Sequence, residues 1–287
     1  MGAIIHTADS VRALEGGPTD SLKHQSSMKK LWIICLGVGF GLACFTAQAS
    51  VTLDWNSQTQ GTLGHPNQTT YTGSFTASDG GAVDANVQLI GNVSAFRFGS
   101  SGVQTPAVTN TIFDGGLPSG NSNLAMVANF DKPGASTTPG TVQITLDFAG
   151  YSRGVRDVSF DLYDVDATDH VHFADQITFL TPGATLTPSV DNSVSGSTVT
   201  GTAPSPNRGP GSGNGNVLVA YGALPLHQIV FDFTSPTPIE VLHGFAIGDI
   251  SFTPVPEASQ LVIGLTACAL GALWLRKSGV RRVVGIT

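Results

Sequence analysis

The stretch Asp161-Leu-Tyr163-Asp164-Val-Asp166-Ala-Thr-Asp169-His170-Val-His172-Phe-Ala-Asp175 holds the densest set of metal- and proton-binding side chains in this 287-residue chain. Asp164 and Asp166 lie two apart, so on an extended strand they share one face, and Asp169 follows across a short turn. Hard carboxylate oxygens gathered where a strand meets a loop suit Ca²⁺, which takes about six to eight oxygen ligands. The spacing therefore predicts a structural calcium ion at Asp164, Asp166 and Asp169. It is not an EF-hand, because no Gly stands at the turn position and no Glu closes the loop. The plainer reading is a solvated acidic strand end that discourages edge pairing. His170 and His172 also share a face and have the spacing to chelate Zn²⁺ or Cu²⁺. Exposed polar positions on an edge strand explain them more simply. No other cofactor is expected.

Signs of catalysis are missing. A serine hydrolase of the elbow type needs Gly-x-Ser-x-Gly on a strand-to-helix turn; the nearest match, Gly211-Ser212-Gly213, lies in a Gly/Pro/Asn-rich segment. The glycine runs lack the Lys-Ser/Thr or βαβ frame of nucleotide loops. Paired carboxylates for glycoside hydrolysis can be drawn from any set of seventeen, so they point nowhere. His65, His227 and His243 stand alone. These absences argue against an enzyme. For binding, the flat side chains are Trp55, Tyr71, Tyr151, Tyr163 and Tyr221. Tyr163 is out of phase with Val158, Phe160 and Leu162, so it should face solvent beside Asp161; it is the best single candidate for a ligand contact. A half-buried position at a sheet edge is the ordinary alternative for each.

The elements that must carry these residues are strands. Val142-Gln-Ile144-Thr-Leu146-Asp-Phe148, Val158-Ser-Phe160-Asp-Leu162 and Ile229-Val-Phe231-Asp-Phe233 alternate with a period of two, the mark of half-buried strands. Weaker candidates run over Val51–Trp55, Thr70–Phe75, Val87–Ile90, Val93–Phe98, Leu124–Phe130, Gln176–Leu180, Val217–Tyr221 and Phe245–Phe252. Turn clusters such as Asp79-Gly80-Gly81, Asp114-Gly115-Gly116 and Pro139-Gly140 separate them. No sustained 3.6-residue stripe occurs between Ser50 and Glu257. The expected fold is all-β: a two-sheet sandwich of jelly-roll type spanning residues 50–254. Gly201–Asn216 reads as a loop joining two strands of that sandwich.

Charge and cysteine narrow the partners. Between Ser50 and Glu257, five basic residues face seventeen carboxylates, a net charge of −12. Such a surface repels nucleic acid. All three cysteines (Cys35, Cys44, Cys268) fall outside this portion, which excludes disulfides, thiol catalysis and Cys-zinc sites there.

The two ends read as address labels. Lys29 and Lys30 precede the apolar run Leu31–Phe45, and Ala47-Gln48-Ala49 forms a small-x-small cleavage site, the order of a secretory signal peptide over residues 28–49. Residues 1–27 lie awkwardly upstream, and Met28 is the expected start. At the other end, Val255-Pro256-Glu257-Ala258-Ser259 leads into an uncharged segment, Ala258–Leu275, followed by Arg276, Lys277, Arg281 and Arg282. That segment suffices for a short transmembrane helix over 258–275, with the four cations holding its far end in the cytoplasm.

This order of short Pro-Glu motif, hydrophobic helix and basic cluster resembles the PEP-CTERM sorting signal, with Ala258 where the second proline usually stands. The resemblance implies export through the Sec translocon and signal peptidase, anchoring in the inner membrane by the C-terminal helix, and processing by an exosortase near Val255–Ser259. The destination would be the cell surface or extracellular matrix. Val155–Phe252, through Val158–Asp166, Asp175-Gln-Ile177, Gly215-Asn-Val217 and Gly244–Phe252, also resembles galactose-binding-type jelly rolls. Together these imply an exported, non-catalytic component of an exopolysaccharide or biofilm matrix that binds polysaccharide; a membrane-retained enzyme acting on polysaccharide is the alternative. Thr-rich stretches (Thr105–Thr111, Ser195–Thr202) lack the fixed spacing of an ice-binding face.

Overall fold

The structure, a computed structural model, describes residues 49–64, 68–95, 97–98, 103–111, 120–130, 140–168, 173–203, 213–236 and 242–257, with Thr266, residues 269–271, Leu273 and Trp274. The chain divides into two units, Gln48–Ala258 and Met1–Ala47 with Ser259–Thr287. The first unit carries the strands. Its first nine are β1 (Val51–Leu53), β2 (Gly61–Thr62), β3 (Thr70–Thr76), β4 (Ala82–Ile90), β5 (Val93–Ala95), β6 (Ala107–Thr109), β7 (Asn123–Phe130), β8 (Thr141–Asp147) and β9 (Val155–Tyr163). There follow β10 (Gln176–Phe179), β11 (Thr185–Pro188), β12 (Asn192–Ser195), β13 (Thr198–Gly201), β14 (Val217–Ala220), β15 (Gln228–Thr234), β16 (Leu242–Ile247) and β17 (Ile250–Pro254).

They form two antiparallel sheets. One runs β1-β17-β9-β16-β7-β6-β2, with β14 bridging β9 to β11 and β5 flanking β7; the other runs β12-β13-β10-β15-β8-β4-β3. Two short pairs, Arg97–Phe98 with Val103–Gln104 and Ala167–Thr168 with Phe173–Ala174, stand apart. Almost no helix occurs among the described residues of this unit: one 3-10 turn, Trp55–Ser57, capped by Asp54, whose Oδ1 accepts the Asn56 amide at 2.8 Å.

Alternation decides which side chains meet. Val142, Ile144 and Leu146 of β8 lie opposite Phe233, Phe231 and Ile229 of β15, and all six are fully buried. Such cross-strand pairs are the stabilising units of a sheet. Phenylalanines then tie the sheets together: Phe233 meets Phe245 with ring centroids 4.8 Å apart and Phe130 at 5.3 Å, both edge-on. Each such contact adds about 1 kcal/mol to the burial term.

The expected strand Phe245–Phe252 is in fact two, β16 and β17, broken at Gly248-Asp249, where Trp55 Nε1 donates to the Gly248 carbonyl at 2.7 Å. Strands β2, β6, β11, β12 and β13 have no counterpart among the expected strands; the first two are two or three residues long, and the last three, Thr- and Ser-rich, alternate weakly in hydropathy. The Gly201–Asn216 segment leaves β13 in one sheet and enters β14 in the other. Among the described residues no helix is long and apolar enough to cross a membrane. The described part of the expected 258–275 span, six residues from Thr266 to Trp274, is helical; the rest, the signal segment 28–48 and the upstream residues 1–27 lie outside the described residues.

Gly201 is packed so closely under Asp166 that a Cβ would overlap the Asp166 carbonyl. Gly201→Ala should therefore destabilise the domain by about 2 kcal/mol. Gly222→Ala, where a Cβ meets open space, should change it little. Urea unfolding midpoints at unchanged slope would check both.

Candidate functional site

Where β9 ends, the chain turns sharply inward. Asp164 adopts φ 63°, a left-handed conformation that aspartate tolerates better than most residues. The alternation expected to set Asp164 and Asp166 on one solvated face stops there. Both are buried, each with 5% of its surface exposed, so these two do not form the solvated acidic strand end expected of them. Gly215 makes this possible: its carbonyl accepts the Val165 amide at 2.9 Å, and its α-carbon lies against Asp164. After the Ala167–Thr168/Phe173–Ala174 hairpin the chain returns at Asp175, whose amide donates to the Asp166 carbonyl at 2.8 Å. Asp175 Oδ1 lies 3.2 Å from His243 Nδ1, and His243 on β16 packs edge-on against Phe130 at 5.3 Å.

This knot joins β9, β13 and β16, with Gly201 donating its amide to the Asp175 carbonyl at 2.9 Å. Burial pushes Asp175 well above its ordinary 3.8; the nearby Asp164 raises it further, opposed by the Asp166 amide. Burial also drives His243 down to about 4. The arrangement these shifts favour is a neutral imidazole accepting a proton-mediated bond from a protonated carboxyl. Nothing in the sequence pairs these two residues. His243 looked isolated because its partner lies 68 positions away, and its only local signal is a histidine inside an otherwise apolar strand. The pair is sealed from solvent, at 0% and 1% side-chain exposure, so no substrate reaches it.

Asp169, His170 and His172 lie outside the described residues. Among the described residues, no group of three His, Cys, Asp or Glu side chains could hold a metal ion.

The tyrosine expected to face solvent does not. Tyr163 is 7% exposed. Its side chain does leave β9 on the outward parity, but Gly248 leaves room for the ring, and a Cβ there would press on the Tyr163 hydroxyl at 2.5 Å. Burial, then Asp161 and Asp249, raise its pKa. Trp55, Tyr71, Tyr151 and Tyr221 are buried too. The exposed feature of note is a groove of about 710 Å³ along the free edge of β3. Its walls include Asp54, Ser57, Gln58 and Ser74, over a floor of Leu63 and Phe75. Gln58, one of the lining residues, pairs with the β3 backbone, its Oε1 accepting the Thr76 amide at 3.1 Å and its Nε2 donating to the Thr76 carbonyl at 3.0 Å.

The expected sorting motif is described through Glu257. Val255, Pro256 and Glu257 leave β17 half-buried. The Val255 amide donates to the Gly154 carbonyl at 3.0 Å, Arg153 Nη1 donates to the Pro256 carbonyl at 2.9 Å, and the Ser152 hydroxyl bonds Glu257 Oε1. Ala258, Ser259, Arg276, Lys277, Arg281, Arg282 and Ala47 lie outside the described residues; Ala49 is exposed just ahead of β1.

Comparison with protein-family models and with curated proteins gave no match.

Proton linkage tests the buried pair. Unfolded, His243 titrates near 6.5 and Asp175 near 3.8; folded, His243 titrates near 4 and Asp175 well above 3.8. The raised Asp175 carboxyl contributes stability that is fully present below 3.8 and lost as pH rises through its folded value; the lowered His243 contributes stability that is present above 6.5 and lost as pH falls to about 4. The stability difference between the native protein and Asp175→Asn, measured by urea unfolding, should therefore fall as pH rises above 3.8. A difference that rises with pH would contradict the assignment.

Proposed function

We propose that this chain is an exported, non-catalytic cell-surface or exopolysaccharide-matrix protein, sorted by a PEP-CTERM tail. The observation that carries the reading is where the folded strands begin and end. β1 starts at Val51, two residues after the expected cleavage site at Ala49, and β17 stops at Pro254, next to Val255-Pro256-Glu257. These first and last strands pair directly, Val51 opposite Phe252 and Leu53 opposite Ile250. Removing the leader at Ala49 and the tail near Glu257 would leave every strand of both sheets intact. The partners in this reading are the Sec translocon and signal peptidase at the front, then the membrane and an exosortase at the back.

The jelly-roll assignment belongs to the same proposal. It is supported by the chain crossing from one sheet to the other at each step from β8 to β12. A non-catalytic role is supported by the burial of the Asp175–His243 pair. Sugar binding, the remaining part of the reading, falls on the groove beside β3. That groove offers hydroxyls, an amide and a carboxylate over a small apolar floor and no lining cation, a lining suited to a neutral polar ligand with one apolar face.

In an exopolysaccharide-producing host with an exosortase, an epitope placed ahead of Pro256 should be accessible to protease in intact spheroplasts. The mature product should lack both the leader and the tail by mass. Protection of the epitope would sink the export reading. Separately, a neutral hexasaccharide titrated into the full-length protein, in a detergent without a sugar head group, should shift the amides of Gln58, Ser74 and Thr76. Ser74→Lys should weaken that response about tenfold. No shift at about 10 mM sugar would remove the sugar-binding part alone.

A further inference from the structure

A peptide that is to be cut must enter the processing enzyme as an extended segment whose own backbone groups are free to pair with the enzyme. In this molecule the motif is already paired. The ladder between β9 and β17, with Val155 opposite Pro254 and Arg156 opposite Thr253, continues one step further as Val255 N–H to Gly154 C=O, at 3.0 Å. Arg153 then occupies the Pro256 carbonyl at 2.9 Å, and Ser152 occupies the Glu257 carboxylate. Three consecutive motif residues therefore meet three consecutive residues of one turn.

That turn is fixed independently of the motif. Tyr151 is buried, its hydroxyl donates to Asp79 Oδ1 at 2.7 Å, and its ring packs edge-on against Phe252 at 5.1 Å. The Tyr151 amide donates to the Phe148 carbonyl at 2.9 Å, and the Gly154 amide to the Tyr151 carbonyl at 2.8 Å. Gly154 sits at φ 77° directly against the Leu226 carbonyl, where a Cβ would approach to 2.6 Å. The turn is thus held in place before the motif arrives, which lowers the ordering cost of binding it. Ser152 and Arg153 themselves point into solvent, and their bonds to Pro256 and Glu257 are their described contacts with the tail.

We propose that the Ser152-Arg153-Gly154 turn is a docking surface for Val255-Pro256-Glu257, which withholds the motif from the processing enzyme until these bonds open. The proposal rests on the reading of this motif as a processing site. Its physical content, a protected peptide bond after Glu257, is independent of that reading. Cleavage at a docked segment proceeds through the open form, so its rate follows the open population when closing is fast. Bonds to a charged partner are the stronger ones, and losing those from Arg153 and Ser152 raises the open population.

The chain contains three glutamates, Glu15, Glu240 and Glu257, so a Glu-specific endopeptidase gives few products. With the full-length protein, the double variant Ser152→Ala/Arg153→Ala should be cut after Glu257 about tenfold faster than the native chain. The rate after Glu240 and the melting temperature should stay unchanged. Equal rates after Glu257 would overturn the docking proposal. So would equal acceleration at Glu240, which would report general loosening. In cells, faster tail removal from the double variant supports the proposal. If neither chain loses its tail while the endopeptidase rates still differ, the sorting reading fails and the docking surface stands.

Discussion

The pairing of the first strand with the last constrains everything else in this domain. β1 has three residues and lies at the sheet edge, with β17 as its strand partner. On its open side the Thr52 carbonyl accepts the Ser78 amide at 2.9 Å and the Thr52 amide donates to Ser78 Oγ at 3.1 Å. Ser78 belongs to the turn between β3 and β4 of the other sheet, so the entry of the chain fastens one sheet to the other. Immediately after β1, Trp55 drives its ring into the core against Phe75 of β3, with centroids 4.9 Å apart. A chain that begins and ends on neighbouring strands can lose extensions at both ends without exposing its core. That property suits a protein trimmed on both sides.

How much of this was legible in the sequence depends on whether a residue's fate was set by its neighbours in the chain or by residues far away. Val142, Ile144 and Leu146, or Ile229, Phe231 and Phe233, announced buried strands because period two is a local property and both faces behaved as expected. Tyr163 misled for the opposite reason. Its parity was outward, but the outward face there is covered by Gly248, 85 positions later. Asp164 and Asp166 misled because a single left-handed residue ends the alternation, and aspartate gives no warning that it will adopt that conformation. His243 and Asp175 could not be matched at all, since their contact is long-range and chemically unlike the apolar strands that bring them together.

The polar groups divide into two populations with different work. Inside, Asp164, Asp166, Asp175 and His243 are buried beside two glycines: at Gly201 a Cβ would overlap the Asp166 carbonyl, and at Gly215 it would come within 3.3 Å of the Asp164 α-carbon. A buried polar cluster of this kind specifies one packing of the strands it joins, because a misregistered alternative would leave its charges and amides without partners. Outside, Asp79, Asp147 and Asp157 are exposed and add negative charge to the surface. Ser152, Arg153 and Gln58 act at the boundary, each spending its hydrogen bonds on backbone or carboxylate groups that would otherwise be open at a strand end. The tail motif and the free edge of β3 are both managed in this way.

If the chain is exported as proposed, β1 closes on β17 outside the cytoplasm. Ser50 Oγ and Ser251 Oγ lie 2.9 Å apart across that closure, and residues 50–257 contain no cysteine. With Cys35, Cys44 and Cys268 replaced by serine, the Ser50→Cys/Ser251→Cys pair reports on both halves of the claim, because a disulfide needs close Cβ atoms and an oxidising compartment. Thiol labelling of the protein taken directly from cells, without reductant, should find both cysteines blocked and released only by reduction. Two freely reactive thiols would contradict the account.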